Sequence, residues 1–335
     1  MFRVAVVGAT GAVGGTMLRV LEERGFPVTE LRPLASSRSV GRELEYLGRP
    51  ALVRELTEDA FEDIDVALFS AGATRSRAFA PAAVEAGAVV IDNSSAYRMD
   101  PAVPLVVPEV NEEALAGHAG IVANPNCVAA PLVVALKPIL DAAGLERVIV
   151  SSYQAVSGTG LAAVEELRAQ SLRVLGGDEA APEVYPHQIA FNVLPHIDTF
   201  DEDGQTGEER KVMEETRKML GLADLPVSAT CVRVPVMHGH SESVHIETTT
   251  QIDPDEVRNL LMTAPGVALV DEPAYNRYPM PIDAAGRDEV LVGRIRRDPS
   301  HPRGIVLWLS SDNLRKGAAT NAVQVAESIV TNGWL

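Results

Sequence analysis

Short apolar runs, glycine breaks and helix-period stretches follow one another through the first third of the chain. Phe2 to Val7 is a valine-rich run ending in Gly8, and a helical pattern follows from about Ala12 to Arg24, stopped by Gly25. This reads as strand, glycine turn, helix. The same patterning predicts short buried strands at Leu31–Ala35, Asp65–Ser70, Ala88–Ile91 and Gly120–Ala123. Helical stretches near Ala78–Ala86 and Asn111–Ala116 lie between them. Alternation of this kind predicts a parallel sheet covered on both faces.

The character changes after Asn124-Pro125-Asn126-Cys127. Longer strands are expected at Arg147–Val156, Pro226–Val236, Ser243–Gln251, Val290–Arg296 and Gly304–Ser311. Positions such as Val244, Ile246 and Thr248 alternate with their neighbours, as in a half-exposed antiparallel sheet. Helices are expected near Leu161–Leu175, Glu208–Leu220 and Pro254–Met262. The last helical segment, Gly317–Thr331, is expected to return to the first domain. The fold class is therefore α/β. One domain, residues 1–126 with 314–335, holds a parallel sheet, and an inserted α+β domain, 127–313, holds a mixed or antiparallel one.

Composition narrows the function. The 335 residues carry 29 basic and 46 acidic side chains, a net charge of −17. A phosphate backbone needs a basic face, so no nucleic-acid partner is expected. Hydrophobic residues at 46% allow a sizeable core and exclude wholesale disorder. The two cysteines, Cys127 and Cys231, make no disulfide framework and suit a reducing cytoplasm. No apolar run reaches membrane-spanning length, and the N-terminus lacks the pattern of a signal peptide, so no membrane partner is expected.

Gly8-Ala9-Thr10-Gly11-Ala12-Val13-Gly14 sits where the first strand meets the first helix. Glycines there permit a tight turn and a close approach of backbone to a pyrophosphate, with the free N–H groups of the helix behind it. The alternative is a structural turn; the flanking strand and helix favour a Rossmann-type dinucleotide site. An NAD site usually places an acid about twenty residues further on, to hold the ribose. Here the stretch is Ala35-Ser36-Ser37-Arg38-Ser39. Hydroxyls and one arginine suit a 2′-phosphate, which favours NADP; the alternative is an ordinary surface loop.

Cys127 precedes an apolar helical stretch and so stands near a helix N-terminus, a position that favours the thiolate. Pro131 fits the first turn, and Pro138 is expected to kink or end the helix. Cys231, among apolar strand residues, looks structural. His240 is expected in a glycine turn beyond a strand, where it could shuttle protons. His238 and His240 invite a zinc site with His245 or Glu242, but no cysteine pair or HExxH helix supports one, and no metal is expected. Gln154 ends a strand before Ser157-Gly158 and could orient a carbonyl. Glu208 and Lys211 share a helix face and read, from spacing alone, as a solvated ion pair.

Together, these segments resemble the aspartate-β-semialdehyde dehydrogenase family over nearly the full chain. The motifs are Gly8–Gly14, Asn93-Ser94-Ser95 with Arg98, Pro108-Glu109-Val110-Asn111, Asn124-Pro125-Asn126-Cys127, Gln154–Gly158, Gln188-Ile189-Ala190-Phe191-Asn192, Pro195-His196-Ile197-Asp198, and Cys231-Val232-Arg233 through Gly239-His240-Ser241. The resemblance implies Cys127 as the nucleophile that forms a thioacyl-enzyme and His240 as general acid/base, with Gln154 positioning the acyl group. It implies Arg233 on the substrate carboxylate, Glu208 on its ammonium, and Arg98 and Lys211 on phosphate. Gly8, Thr10, Gly11, Ala12, Val13, Arg38, Ser39, Ser157, Gly158 and Asn313 would bind NADP. It further implies a homodimer, sometimes a tetramer, with the second domain providing the subunit contact, and a place in the biosynthesis of lysine, threonine, methionine and diaminopimelate.

Two enzyme rivals are weaker. N-acetyl-γ-glutamyl-phosphate reductase usually has Asn-Pro-Gly-Cys where this chain has Asn126 before Cys127. Glyceraldehyde-3-phosphate dehydrogenase has a Ser-Cys-Thr-Thr-type segment that is absent here. A noncatalytic NADP sensor on the same fold is disfavoured by the intact set Cys127, Gln154, Arg233 and His240.

Overall fold

The computed structural model describes residues 1–335, which form two compact units: residues 1–126 with 318–335, and residues 127–317. In the first, β1 (Phe2–Val7) leads through the glycine turn into α1 (Ala12–Glu23), then β2 (Val28–Ala35). A hairpin, β3 (Glu43–Tyr46) and β4 (Arg49–Leu52), and a short β5 (Arg54–Glu55) follow. Next come β6 (Val66–Phe69), α2 (Ala73–Glu85), β7 (Val89–Asp92), α3 (Pro108–Asn111) and β8 (Ile121–Ala123). The six-stranded sheet has the order β5-β2-β1-β6-β7-β8, and every pairing is parallel. Such strands are buried on both faces, which is why they read as continuous apolar runs. One face packs Val4, Val6, Leu68 and Ile91 against Met17 and Leu21 of α1 and against Val323, Ala326 and Ile329 of the closing helix. The other packs Val7, Phe69 and Val90 against Phe61, Ala80 and Ala83.

The second unit contains α4 (Ala129–Ala143), β9 (Arg147–Gln154), α5 (Leu161–Leu175), α6 (Gly207–Leu220), β10 (Val227–Arg233) and β11 (His240–Glu247). It continues with α7 (Pro254–Thr263), β12 (Val267–Leu269), α8 (Pro281–Ala284), β13 (Val290–Arg297) and β14 (Gly304–Ser311). The chain then returns through α9 (Thr320–Asn332) to the first unit. The sheet order is β10-β9-β11-β14-β13-β12, with the central pairings antiparallel and the two outermost pairings parallel. It is a mixed sheet. β10 is an edge strand, but its backbone is not bare. Arg233 exchanges both of its backbone bonds with Leu194, and the Cys231 N–H donates to Glu209 Oε1 at 3.0 Å.

Several expectations are corrected. α4 continues through Pro138 to Ala143. Proline forfeits one helical bond there, and burial of nearly the whole apolar helix offsets the loss. α2 begins at Ala73 instead of Ala78, because Ser76 is buried and donates to Asp92 at 2.7 Å. The helix expected at Asn111–Ala116 is a short α-helical turn at Pro108–Asn111 followed by a 3₁₀ segment over Glu112–Gly117. β11 starts at His240, three residues before the expected Ser243, so His240 is the first residue of a strand and not part of the turn before it.

Candidate active site

In the first unit, β1 and β6 are neighbours whose chains leave the sheet in opposite directions, the place where open α/β sheets form a crevice. Gly8 closes β1 with φ +83°, and a Cβ on it would stand 2.4 Å from the carbonyl oxygen of Ser70, which follows β6. A Cβ on Gly14 would stand 2.2 Å from the Gly8 carbonyl oxygen. Only glycine fits either position. Gly11 caps α1 without a side-chain hydrogen bond, and no acid lies in the first turn. The turn therefore presents free N–H groups and the positive helix end, as a pyrophosphate requires. At the end of β2, Ser37–Ser39 forms a 3₁₀ turn with Arg38 exposed. The site fits a dinucleotide, and its lack of an acid at this point fits a 2′-phosphate.

The second unit gathers the chemistry. His240 begins β11, Gln154 ends β9 and Arg233 ends β10. The register pairs Arg233 with Gln154 and Ser241 with Tyr153, so the three residues lie abreast across adjacent strands. All three are buried. Cys127, two residues before α4, brings its Sγ to 3.4 Å from His240 Nε2. The other ring nitrogen, Nδ1, accepts the Ala155 N–H at 3.0 Å. In the neutral ring the hydrogen must then sit on Nε2, facing the sulfur. Burial, and next the Arg233 charge, hold the His240 pKa well below its ordinary value, so the ring is neutral at pH 7. Gly158 floors this corner: a Cβ there would lie 3.1 Å from Arg233 Nη1 and 3.4 Å from His240 Nε2. Gly317 packs equally closely on the Cys127 side chain.

Arg233 donates from Nη1 to the Ala155 carbonyl at 2.6 Å, while its buried Nε has no partner in the fold. An unsatisfied guanidinium donor suits a carboxylate ligand. Gln154 donates from Nε2 to Glu208 Oε1 at 3.0 Å, and Lys211 donates to Glu208 Oε2 at 3.3 Å and to Asp198 at 2.7 Å. Burial works against the Lys211 charge, but Glu208 and Asp198 outweigh it and raise the pKa, so the ammonium persists. Glu208 is buried, and its bonds to Gln154 and the partly exposed Lys211 make the pair part of a larger network and not the isolated solvated pair that spacing suggests. Ser157 and Asn313 bond each other, and Asn313 Oδ1 also accepts the Gly239 N–H.

Cys127, His240, Gln154, Arg233, Glu208, Lys211, Ser157, Gly158 and Asn313 all belong to the second unit, and Gly8, Thr10, Gly11, Ala12, Val13, Arg38, Ser39 and Arg98 to the first. Arg98 is buried at the carboxyl ends of β7 and β8, where it donates to the carbonyls of Asn93 and Asn124. Sequence reasoning missed Asp198, which anchors Lys211, and the Ala155 N–H, which sets the His240 tautomer. Asp198 stood inside the Pro195–Asp198 motif, a signal that could have found it. A backbone N–H leaves no trace in a sequence.

Residues 3–118 match the family described as semialdehyde dehydrogenase, NAD binding domain, and residues 136–316 match semialdehyde dehydrogenase, dimerisation domain. An aspartate-semialdehyde dehydrogenase of Aquifex aeolicus is 56% identical, covering 100% of this chain and 99% of that protein. The crystal structure of aspartate semialdehyde dehydrogenase II from Vibrio cholerae complexed with ASA is 49% identical. It superposes with a TM-score of 0.96 over 99% of this chain and 98% of that one. Aspartate semialdehyde dehydrogenase with NADP from Candida albicans is 25% identical, with a TM-score of 0.77 over the whole of both chains.

Proposed function

The chain belongs to the aspartate-semialdehyde dehydrogenase family, and on that footing we propose that it reduces β-aspartyl phosphate to aspartate semialdehyde with NADPH, releasing phosphate through a thioacyl intermediate on Cys127. The carrying observation is the 3.4 Å approach of Cys127 Sγ to His240 Nε2, in the unit that also holds Arg233 and Glu208.

The neutral His240 donates its Nε2–H to the sulfur and so favours the thiolate, the nucleophilic form. With Nε2 protonated, His240 as general acid/base would give that proton to the oxyanion left by hydride addition and take it back as the aldehyde forms. The thiolate forms a C–S bond to the acyl carbon, and the C–O bond to phosphate breaks with its electron pair leaving on phosphate. Arg98 and Lys211 bind the departing anion, whose charge they offset. Arg233 grips the α-carboxylate, Glu208 the ammonium, and Gln154 orients the acyl group. When bound, NADPH would supply the hydride needed to bring a thioester to the aldehyde oxidation level. The C–S bond then breaks and Cys127 returns as thiolate. Gly8, Thr10, Gly11, Ala12, Val13, Arg38, Ser39, Ser157, Gly158 and Asn313 would hold NADP. Residues 1–126 with 314–335 serve as the dinucleotide domain, and 127–313 as the catalytic and dimerisation domain of a cytoplasmic homodimer.

The test is phosphate-dependent oxidation of aspartate semialdehyde, followed by NADPH formation. Cys127→Ser should lower kcat at least ~10⁴-fold, as loss of a covalent nucleophile does, while NADP binding persists. NADP should give a higher kcat/KM than NAD in the same assay. Turnover retained by Cys127→Ser would remove the nucleophile assignment.

A further inference from the structure

Beneath the row His240–Gln154–Arg233 the ladder places a second row on the same face. Glu242 of β11 pairs with Ser152 of β9, and Ser152 pairs with Cys231 of β10. Ser152 is two residues before Gln154 and shares its face. All three residues of this lower row are buried, and none has a part in the reaction as derived above.

The two rows are joined at one atom. Ser152 Oγ donates to Gln154 Oε1 at 2.9 Å. A glutamine amide can be turned end for end at little steric cost, so its partners decide which end is oxygen. Glu208 offers only acceptor oxygens to Gln154, and therefore requires Nε2. Ser152 meets the other end and supplies the donor that Oε1 requires. Cys231 pairs with the same serine on the neighbouring strand. The result is a hydrogen-bonded chain with one polarity. The Ser152 hydroxyl donates to the Gln154 carbonyl. The Gln154 amide donates to Glu208, which accepts from Lys211.

Resting on the functional reading above, we propose that Ser152 is a positioning residue that holds the Gln154 amide in the orientation acyl transfer needs. Ser152 touches neither substrate nor cofactor and acts only through Gln154. Removing its hydroxyl leaves the buried Oε1 without a donor, a cost the amide escapes by turning or shifting out of place. Cys231 is then not a reserve nucleophile. Burial pushes its thiol far toward the protonated form.

A double-mutant cycle tests this, because residues that act as a unit are non-additive. kcat/KM for aspartate semialdehyde is measured in the wild type, Ser152→Ala, Gln154→Ala and the double variant, with KM for NADP measured in each. Ser152→Ala should lower kcat/KM about tenfold, the order of one buried hydrogen bond. In the Gln154→Ala background the same change should alter it less than about twofold, and KM for NADP should hold throughout. Full activity in Ser152→Ala overturns the proposal. So does an equal loss in both backgrounds, or a loss of NADP affinity in parallel, either of which would make Ser152 a general packing residue. Absence of turnover in the wild type would instead overturn the functional reading itself.

Discussion

Glu242 is a carboxylic acid buried within a sheet, with neither oxygen hydrogen-bonded. Burial raises its pKa well above the ordinary 4.5, so the folded chain keeps the proton. The unfolded chain releases it above about pH 4.5. Protons bound are then fewer in the unfolded state, and stability falls as pH rises from there toward the raised folded value. Glu242→Gln removes that slope. Its stability relative to wild type should improve by up to about 1.4 kcal/mol per pH unit across this window. Urea midpoints from pH 5 to 8 check this; a constant gap would mean that the folded carboxyl is ionised. His240, with its lowered pKa, works in the other direction below pH 6.5 and is common to both proteins. Cys127 stands two residues before α4, as the prolines around it suggest, whereas His240 was expected in the glycine turn and is the first residue of β11. Ser152 and Glu242 were not legible in the sequence. Three polar residues in a row, Ser241-Glu242-Ser243, carry no signal of burial, and only the pairing of β11 between β9 and β14 buries the first two and half-buries the third.

α6 carries two of the proposed substrate-binding side chains, and its start is set by a capping box. Thr206 Oγ1 accepts the Glu209 N–H, and Glu209 Oε2 accepts the Thr206 N–H at 2.8 Å. Thr206→Ala should cost about 1 kcal/mol of stability. The first turn would loosen beneath Glu208, so KM for aspartate semialdehyde should rise several-fold with kcat less affected. Urea titration and steady-state kinetics measure the two effects. Thr206-x-x-Glu209 was visible in the sequence, and the helix was placed within one residue of its observed start. α5 and β14 were read to the residue, since periodicity and flanking glycines agree there. The hairpin β3–β4 was missed. Its strands, Glu43–Tyr46 and Arg49–Leu52, have four residues each; Glu43-Leu44-Glu45-Tyr46 alternates, but so short a run does not stand out, and Pro50 argues against the second.

At the scale of the whole molecule, the parallel sheet with its glycine turn and the mixed second sheet were both legible, because apolar runs and strand lengths differ between the two halves. The partner-facing surface was not, since association leaves no period in a sequence. The proposed homodimer has a ready face on the second unit. Tyr153 and Trp308 pack with ring centroids 5.2 Å apart, and Tyr153 and the nearby Met280 remain exposed. A hollow of about 390 Å³ beside them is lined by Pro279, Leu307, Arg294 and Arg296. Tyr153→Asp should weaken self-association at least tenfold, on the order of 1.4 kcal/mol, as read by sedimentation equilibrium; unchanged dimer stability would move the interface elsewhere. The Glu209 carboxylate bears on this too, because its second oxygen holds the Cys231 N–H on the outermost strand while Leu194 occupies the backbone of Arg233. Strand-by-strand polymerisation needs an open row of amides, and here that rim is stoppered next to the substrate residues. At this end of β10, a second chain would find no open amides to pair with.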